Sequence, residues 1–366
     1  MKIILDNIIF SHVKQGGVSN YWFEMSKFMI NKKTDDISFY DEKNAMLNFH
    51  RKQLIIPKDK LTVNDSSINS SIKTRLSKVK ITTEDYFIYH SSYYRPLVGS
   101  KNYDEVTTIH DFTHNYYASL FKKIIHNKLK YNCIKRSKGI ICISESTYAD
   151  LKKFCPQNKN QKVAIIHNGV SDDYHLIDKA NNLLASQYIQ AHDLNRPYIL
   201  FVGGRINYKN FNFVAQLLKE QKEFCLVIVG ERLNSSEIKL FDKESINRVR
   251  VISNLENSQL NMLYNYAHAL IYPSSYEGFG IPIIEAMKAG CPVLALRNSS
   301  IIEVSGNAGI LENNLNLSGF IKGLKDLNSS NFRTEMINRG LEQSIKFSWE
   351  KCCNETYDFY NEIYNH

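Results

Sequence analysis

The stretch ALIYPSSYEGFGIPIIEAMKAGCPVLAL, residues 269–296, decides the fold. Four apolar residues, Ala269–Tyr272, read as a buried strand. A loop with two glycines follows, then Pro282–Ala289 with apolar residues at helical spacing, then a second apolar run, Val293–Leu296. Strand, helix and strand in that order build parallel sheets covered on both faces. Gly278 and Gly280 let the backbone turn tightly, and Pro282 suits the first turn of a helix. Such a loop directs N–H groups and a positive helix end at an anion, most naturally a phosphate.

The same alternation extends both ways. Tyr198–Val202, Cys225–Val229, Val249–Ile252 and Gly309–Leu311 read as further strands, separated by helical patterns such as Phe211–Lys219 and Ser258–Ala267. The first half repeats the pattern with Lys2–Ile9, Phe87–His90, Val106–His110, Gly139–Ser144 and Val163–His167. Helical stretches there include Tyr21–Ile30, Tyr117–Lys135 and Ser146–Phe154. The expected architecture is α/β: two doubly wound, Rossmann-like domains, residues 1–175 and 196–345, joined by a polar connection. A helix lies within the remainder, 346–366. Sheets of this kind bind ligands at the carboxyl ends of their strands, so two such domains are expected to face each other across a cleft. Segment 41–82 is polar with weak periodicity and reads as a variable excursion with mobile loops.

Composition narrows the function. A chain of 366 residues accommodates two domains, and 43% hydrophobic with 23% charged residues excludes wholesale disorder. No apolar run approaches the ~18 residues a membrane-spanning helix needs. Asp6 and Asn7 split the apolar start, and no small-residue cleavage site follows, so it reads as a first strand rather than a signal peptide. Seven cysteines without C-x-x-C or paired zinc spacing fit scattered thiols in a reduced cytosol. The expected location is cytoplasmic. Residues 1–185 carry 28 Lys and Arg against 18 Asp and Glu, whereas residues 186–366 carry 18 against 19. This one-sided charge admits a nucleic acid, an anionic membrane or an anionic substrate, but no nucleic-acid motif accompanies it.

Three loops carry the chemistry. Glu277 and Glu285 flank the glycine loop, and carboxylates there suit the vicinal hydroxyls of a sugar and a ribose. After Tyr198–Val202 comes Gly203-Gly204-Arg205, with Lys209 four residues on, which places two cations over one anion site. In the first half Gly16-Gly17 leads into a helix with Ser19 as its N-cap, and His110 ends a strand. Ser144 and Thr147 read as capping or fold-supporting residues. The chain lacks an Asp-x-Asp pair, a G-x-G-x-x-G after its first strand, a Walker A loop, a G-x-S-x-G elbow and an H-E-x-x-H.

The Glu277–Glu285 element, E-x7-E, preceded by Arg205-x-x-x-Lys209, resembles the family 4 retaining glycosyltransferases, which have the two-domain GT-B fold. The resemblance runs from about residue 3 to residue 312. It implies that Glu277 contacts the donor sugar and Glu285 the ribose, with the amides of Phe279, Gly280 and Ile281, beside Gly278, on the diphosphate. Arg205 and Lys209 would stabilise the departing nucleotide diphosphate. Gly16 and Gly17 match the family's N-terminal glycine loop against the donor, and His110 a histidine near the sugar's reactive end. Asn254 and Leu255 fall in the base-contacting loop, where Asn254 replaces a common glycine. The tract Asp6–Ser11 resembles bacterial members that assemble surface polysaccharides.

The implied activity is transfer of a sugar, mannose as first choice, from a nucleotide-sugar to a glycan or polyprenyl-diphosphate-linked acceptor. The resemblance implies neither metal nor cofactor and no nucleic acid, and the basic first half is expected to meet an anionic membrane surface. A nucleotide-sugar 2-epimerase shares the architecture but needs several acid/base carboxylates around the sugar. A basic binding protein would leave the two glutamates without a role.

Overall fold

A computed structural model describes residues 1–32, 35–64 and 71–365. The chain divides into two compact units, one of Met1–Gly169 with Trp349–His366, the other of Val170–Ser348. The first unit contains β1 (Lys2–Asp6), β2 (Asp36–Glu42), β3 (Leu61–Asn64), β4 (Val79–Lys80), β5 (Phe87–Ser91), β6 (Leu97–Val98), β7 (Tyr103–Ile109), β8 (Gly139–Cys142) and β9 (Lys162–Ile165). Seven of these form a parallel sheet in the order β3-β2-β1-β5-β7-β8-β9, with β4 and β6 paired separately. The strand order reverses between β1 and β5, so the loops leaving those strands part at that point.

Burial on both faces explains the apolar runs. Ile3 and Leu5 of β1, Trp22, Met25 and Met29 of the Gly17–Ile30 helix, and Cys352, Phe359 and Ile363 of the Trp349–Tyr364 helix share one core. All seven cysteines are free and buried.

The segment 41–82 departs from expectation. Part of it is sheet: β2 pairs with β1 and β3 with β2, in parallel. Residues 65–70 lie outside the described residues. The end of β2 is polar yet buried, which hides the period in the sequence. Asp41 accepts Arg51 Nε at 2.7 Å and Asn7 Nδ2 at 2.8 Å. Arg95 pairs with both Asp6 and Glu42. Buried charges persist only when so paired. Ser19 is likewise not a cap: the helix begins at Gly17 with Gly16 as N-cap, and the Ser19 hydroxyl donates to the Gly16 carbonyl at 2.9 Å. Ser144 does cap its helix, accepting the Thr147 amide at 3.0 Å.

The second unit contains β10 (Tyr198–Val202), β11 (Cys225–Val229), β12 (Val249–Ile252), β13 (Ala269–Tyr272), β14 (Val293–Leu296) and β15 (Gly309–Glu312). They form a parallel sheet in the order β12-β11-β10-β13-β14-β15, reversing between β10 and β13. The expected edges at residues 175 and 196 fall elsewhere in the structure, because the polar connection packs into this unit. The His175 and Ile177 amides donate to Asn261 and Asn265, at 3.1 and 2.9 Å.

Candidate active site

The loops leaving β10 and β13 flank the point where the second sheet reverses, the usual ligand position in an open α/β sheet. Asn210 ties them together. It adopts a left-handed conformation (φ 52°), and its Nδ2 donates to the Pro273 carbonyl and the Ser275 hydroxyl, both at 2.7 Å. The Ser275 amide donates back to the Tyr208 carbonyl at 2.7 Å.

This knot brings Lys209 to Glu277. Lys209 Nζ donates to Glu277 Oε1 at 2.9 Å, and both side chains are largely shielded, at 14% and 13% exposure. Tyr272, last residue of β13, also hydrogen-bonds Glu277, and burial first, then the Glu277 charge, pushes its phenol far up. The Glu277 backbone is held by two hydroxyls: Ser299 accepts its amide at 3.1 Å, and Ser300 donates to its carbonyl at 2.9 Å. Arg205 stands at the neighbouring strand end but pairs with a different acid, Glu237, at 2.8 Å. Each of the two cations expected over one anion site is thus matched to its own carboxylate, because shielded charges need partners.

Glycines open the space around the cations. A Cβ on Gly203 (φ 118°) would lie 3.6 Å from Lys209 Nζ, and one on Gly230 would lie 3.5 Å from Arg205 Nη1. The loop after β12 joins this edge through Ser253, whose hydroxyl donates to the Gly230 carbonyl at 2.6 Å. Asn254, next in that loop, has φ 56°, a conformation open to Gly and tolerated by Asn. Leu255 follows it. Gly278, Phe279 and Gly280 lead into the Ile281–Lys288 helix, capped by Gly280 at φ 108°.

Glu285 lies in that helix, half-buried. Its Oε2 accepts the Tyr264 hydroxyl at 2.9 Å, and Tyr174 adds a second hydrogen bond. Burial raises its carboxyl to about 7, against these hydroxyls, which lower it. The charges of both Glu277 and Glu285 add to the rise of the Tyr272 phenol.

His110 and the Gly16–Gly17 loop belong to the first unit. The His110 ring meets Tyr21 edge-on, 5.0 Å between centres, and Tyr21 is on the helix that Gly17 opens. The Tyr21 hydroxyl is 3.1 Å from Thr108 Oγ1, which is 3.2 Å from His90 Nε2. His90 Nδ1 in turn is 2.5 Å from the Tyr360 hydroxyl. Burial lowers His110 to about 4, so its imidazole is neutral at pH 7.

Residues 15–174 match the family model described as Glycosyltransferase Family 4, and residues 186–343 match Glycosyl transferases group 1. The chain belongs to the family 4 glycosyltransferases. This glycosyltransferase is 26% identical over 289 residues to O-antigen chain mannosyltransferase B of Escherichia coli, covering 76% of this chain and 74% of that one. It is 28% identical over 215 residues to the O-antigen chain mannosyltransferase RfbU of Salmonella typhimurium, covering 57% of each. Among solved structures it resembles sucrose-phosphate synthase of Thermosynechococcus elongatus, with TM-score 0.76, 14% identity and 100% and 99% of the two chains covered. It also resembles Anabaena HepE in complex with UDP and glucose, with TM-score 0.72, 15% identity and 98% of each chain covered. At these identities the likeness is one of fold, the GT-B fold.

Sequence reasoning missed Tyr272, Tyr174, Asn210, the Ser299–Ser300 pair and Glu237. Of these, only Glu237 carried a local signal, the capping-box spacing Asn234-Ser-Ser-Glu237.

The raised carboxyl of Glu285 has a consequence for stability. The folded state holds this proton up to about pH 7, whereas the ordinary carboxyl releases it near 4.5. The contribution is therefore full below pH 4.5 and lost as pH rises through 7. Glu285→Gln, which fixes the neutral form, should come close to wild type in thermal unfolding at pH 4 and exceed it at pH 8, by at most about 3 kcal/mol. Equal unfolding temperatures at pH 8 would show that the carboxyl is ordinarily acidic.

Proposed function

We propose that this glycosyltransferase is a retaining, metal-independent hexosyltransferase. It moves a sugar, mannose as first choice, from a nucleotide-sugar to a glycan or polyprenyl-diphosphate-linked acceptor in surface-polysaccharide synthesis. The observation that carries the reading is the Lys209–Glu277 pair at 2.9 Å, at the reversal point of the second sheet. An ammonium there suits a diphosphate oxygen, and a carboxylate beside it suits a hydroxyl of the attached sugar. The names of the Escherichia coli and Salmonella relatives favour mannose and O-antigen.

The second unit is the donor side in this reading. Arg205, Lys209 and the amides opening the Ile281–Lys288 helix take the diphosphate, Glu285 takes the ribose, and the loop with Asn254 and Leu255 takes the base. The bond from the anomeric carbon to the diphosphate oxygen breaks while the acceptor oxygen bonds on the same face. The acceptor's proton passes to the departing diphosphate. Glu277 orients the sugar through a hydroxyl and its charge favours the cationic character at the anomeric carbon. Alignment and preorganised electrostatics do the catalysis. The first unit is the acceptor side. His110 there is a neutral hydrogen-bonding group rather than a cation.

No helix among the described residues is long and apolar enough to cross a membrane. We place the enzyme in the cytoplasm, at the inner face of the membrane. Tyr116, Tyr117, Leu120 and Ile124 are all exposed, beside the exposed Lys128. Apolar and basic side chains so mixed suit the interface of an anionic bilayer.

Kinetics test the donor site. Activity should survive excess chelator. Lys209→Ala should lose about 2–4 kcal/mol of transition-state stabilisation. Glu277→Gln should still bind the nucleoside diphosphate yet lose about 10- to 150-fold in kcat. Activity restored only by added Mg²⁺ or Mn²⁺, or wild-type turnover in Glu277→Gln, would refute the assignment. For the membrane, vesicles containing anionic lipid should retain the protein at low salt and release it at high salt, where screening is strong. Equal retention on neutral vesicles would contradict a charge-driven contact.

A further inference from the structure

Arg205 is held more firmly than a solvated cation needs to be. Its Nε and Nη2 make paired bonds to the Glu237 carboxylate, at 2.8 and 3.1 Å. Nη2 also donates to the Arg232 carbonyl at 2.9 Å, and the guanidinium lies 5.7 Å from the centre of the Phe211 ring. The two side chains are 7% and 14% exposed.

Glu237 is itself fixed to the backbone. Its Oε2 accepts the Asn234 amide at 2.8 Å, while Asn234 Oδ1 accepts the amides of Ser236 and Glu237 at 2.9 and 3.0 Å. This reciprocal cap leaves the carboxylate little freedom. The hydrogen bonds from Arg205, foremost, hold its carboxyl below the usual range, so it remains an anion.

The edge of the guanidinium that Glu237 takes is informative. It occupies the Nε side and leaves Nη1, which has no hydrogen-bond partner among the described residues. Nη1 lies 3.5 Å from where a Cβ on Gly230 would stand, and that point is 3.4 Å from the Gly203 carbonyl oxygen. Lys209 Nζ lies 3.6 Å from where a Cβ on Gly203 would stand. A carboxylate competing with a ligand would cover the donors facing that edge, whereas this one grips the opposite side.

We propose that Glu237 is a positioning residue for the donor's diphosphate: it holds Arg205 so that Nη1 is presented, beside Lys209, to a phosphoryl oxygen. The proposal rests on the donor-site reading above and adds to it a residue outside the glycine loops. Because the acid acts only through Arg205, its effect must vanish when Arg205 is absent.

The test is calorimetric titration with UDP and with GDP, in chelator, of wild type, Glu237→Gln, Glu237→Ala, Arg205→Ala and the double alanine variant, alongside kcat and KM. Thermal unfolding of each variant checks the cap. Glu237→Ala should weaken the better-binding diphosphate about 5- to 30-fold. Glu237→Gln, whose one oxygen can accept both the Asn234 amide and Arg205 Nη2 as Oε2 does now, should lose less. The double variant should bind like Arg205→Ala alone. Tighter binding in Glu237→Ala would make the acid a competitor and overturn the proposal. An equal further loss in the Arg205→Ala background would also overturn it, by showing that Glu237 acts independently of Arg205. If Arg205→Ala itself binds like wild type, the donor-site reading fails, and Glu237 loses its role with it.

Discussion

Two cations in one loop can stay together in a shielded place only if each is matched by a fixed carboxylate. Arg205 is matched by Glu237 and Lys209 by Glu277, and much of the local structure follows from that requirement. Glu277 has to be delivered from the loop after β13, so Asn210 ties that loop to the one after β10. Glu237 comes from beyond β11, so a capping box fixes it there. Gly203 and Gly230 leave the space in which both cations point. A Cβ at either position would stand in van der Waals contact with one of the charged groups.

The first unit meets the same constraint more severely. Asp6, Asp41 and Glu42 are buried at the ends of β1 and β2, and Arg95 and Arg51 neutralise them. That network fixes the chain where it leaves β1, ahead of the Gly16–Gly17 loop. A separate chain of contacts, Tyr21 to Thr108 to His90 to Tyr360, couples the wall beside His110 to the last helix. The C-terminal helix is therefore part of what sets the surroundings of a residue far earlier in the chain.

This division also explains what could be read from the sequence. The strands of the second sheet are apolar runs because both faces are covered, and Tyr198–Val202, Cys225–Val229, Val249–Ile252, Ala269–Tyr272 and Val293–Leu296 carry the bounds their composition predicts. The Glu277–Glu285 loop was legible because glycines, a proline and two acids coincide within a few residues. β2 was not, since its buried end is charged and satisfied by Arg51 and Arg95; β3 was not, since it is four residues long and none of them is fully buried. Glu237 shows the limit most plainly. Its cap is written in four consecutive residues, but its ion pair reaches back 32 positions to Arg205. Tyr174, which meets Glu285, comes from a connection with no pattern at all.

The central claim is that the cations at the reversal point of the second sheet hold a diphosphate without help from a metal. The most direct measurement compares, in excess chelator, the dissociation constants of a nucleoside diphosphate and of its parent nucleoside. Each phosphoryl contact with a charged group contributes about 1.5–3 kcal/mol, so the diphosphate should bind at least about 10-fold tighter. Equal affinity for the two, or diphosphate binding that appears only when Mg²⁺ is added, would contradict the account.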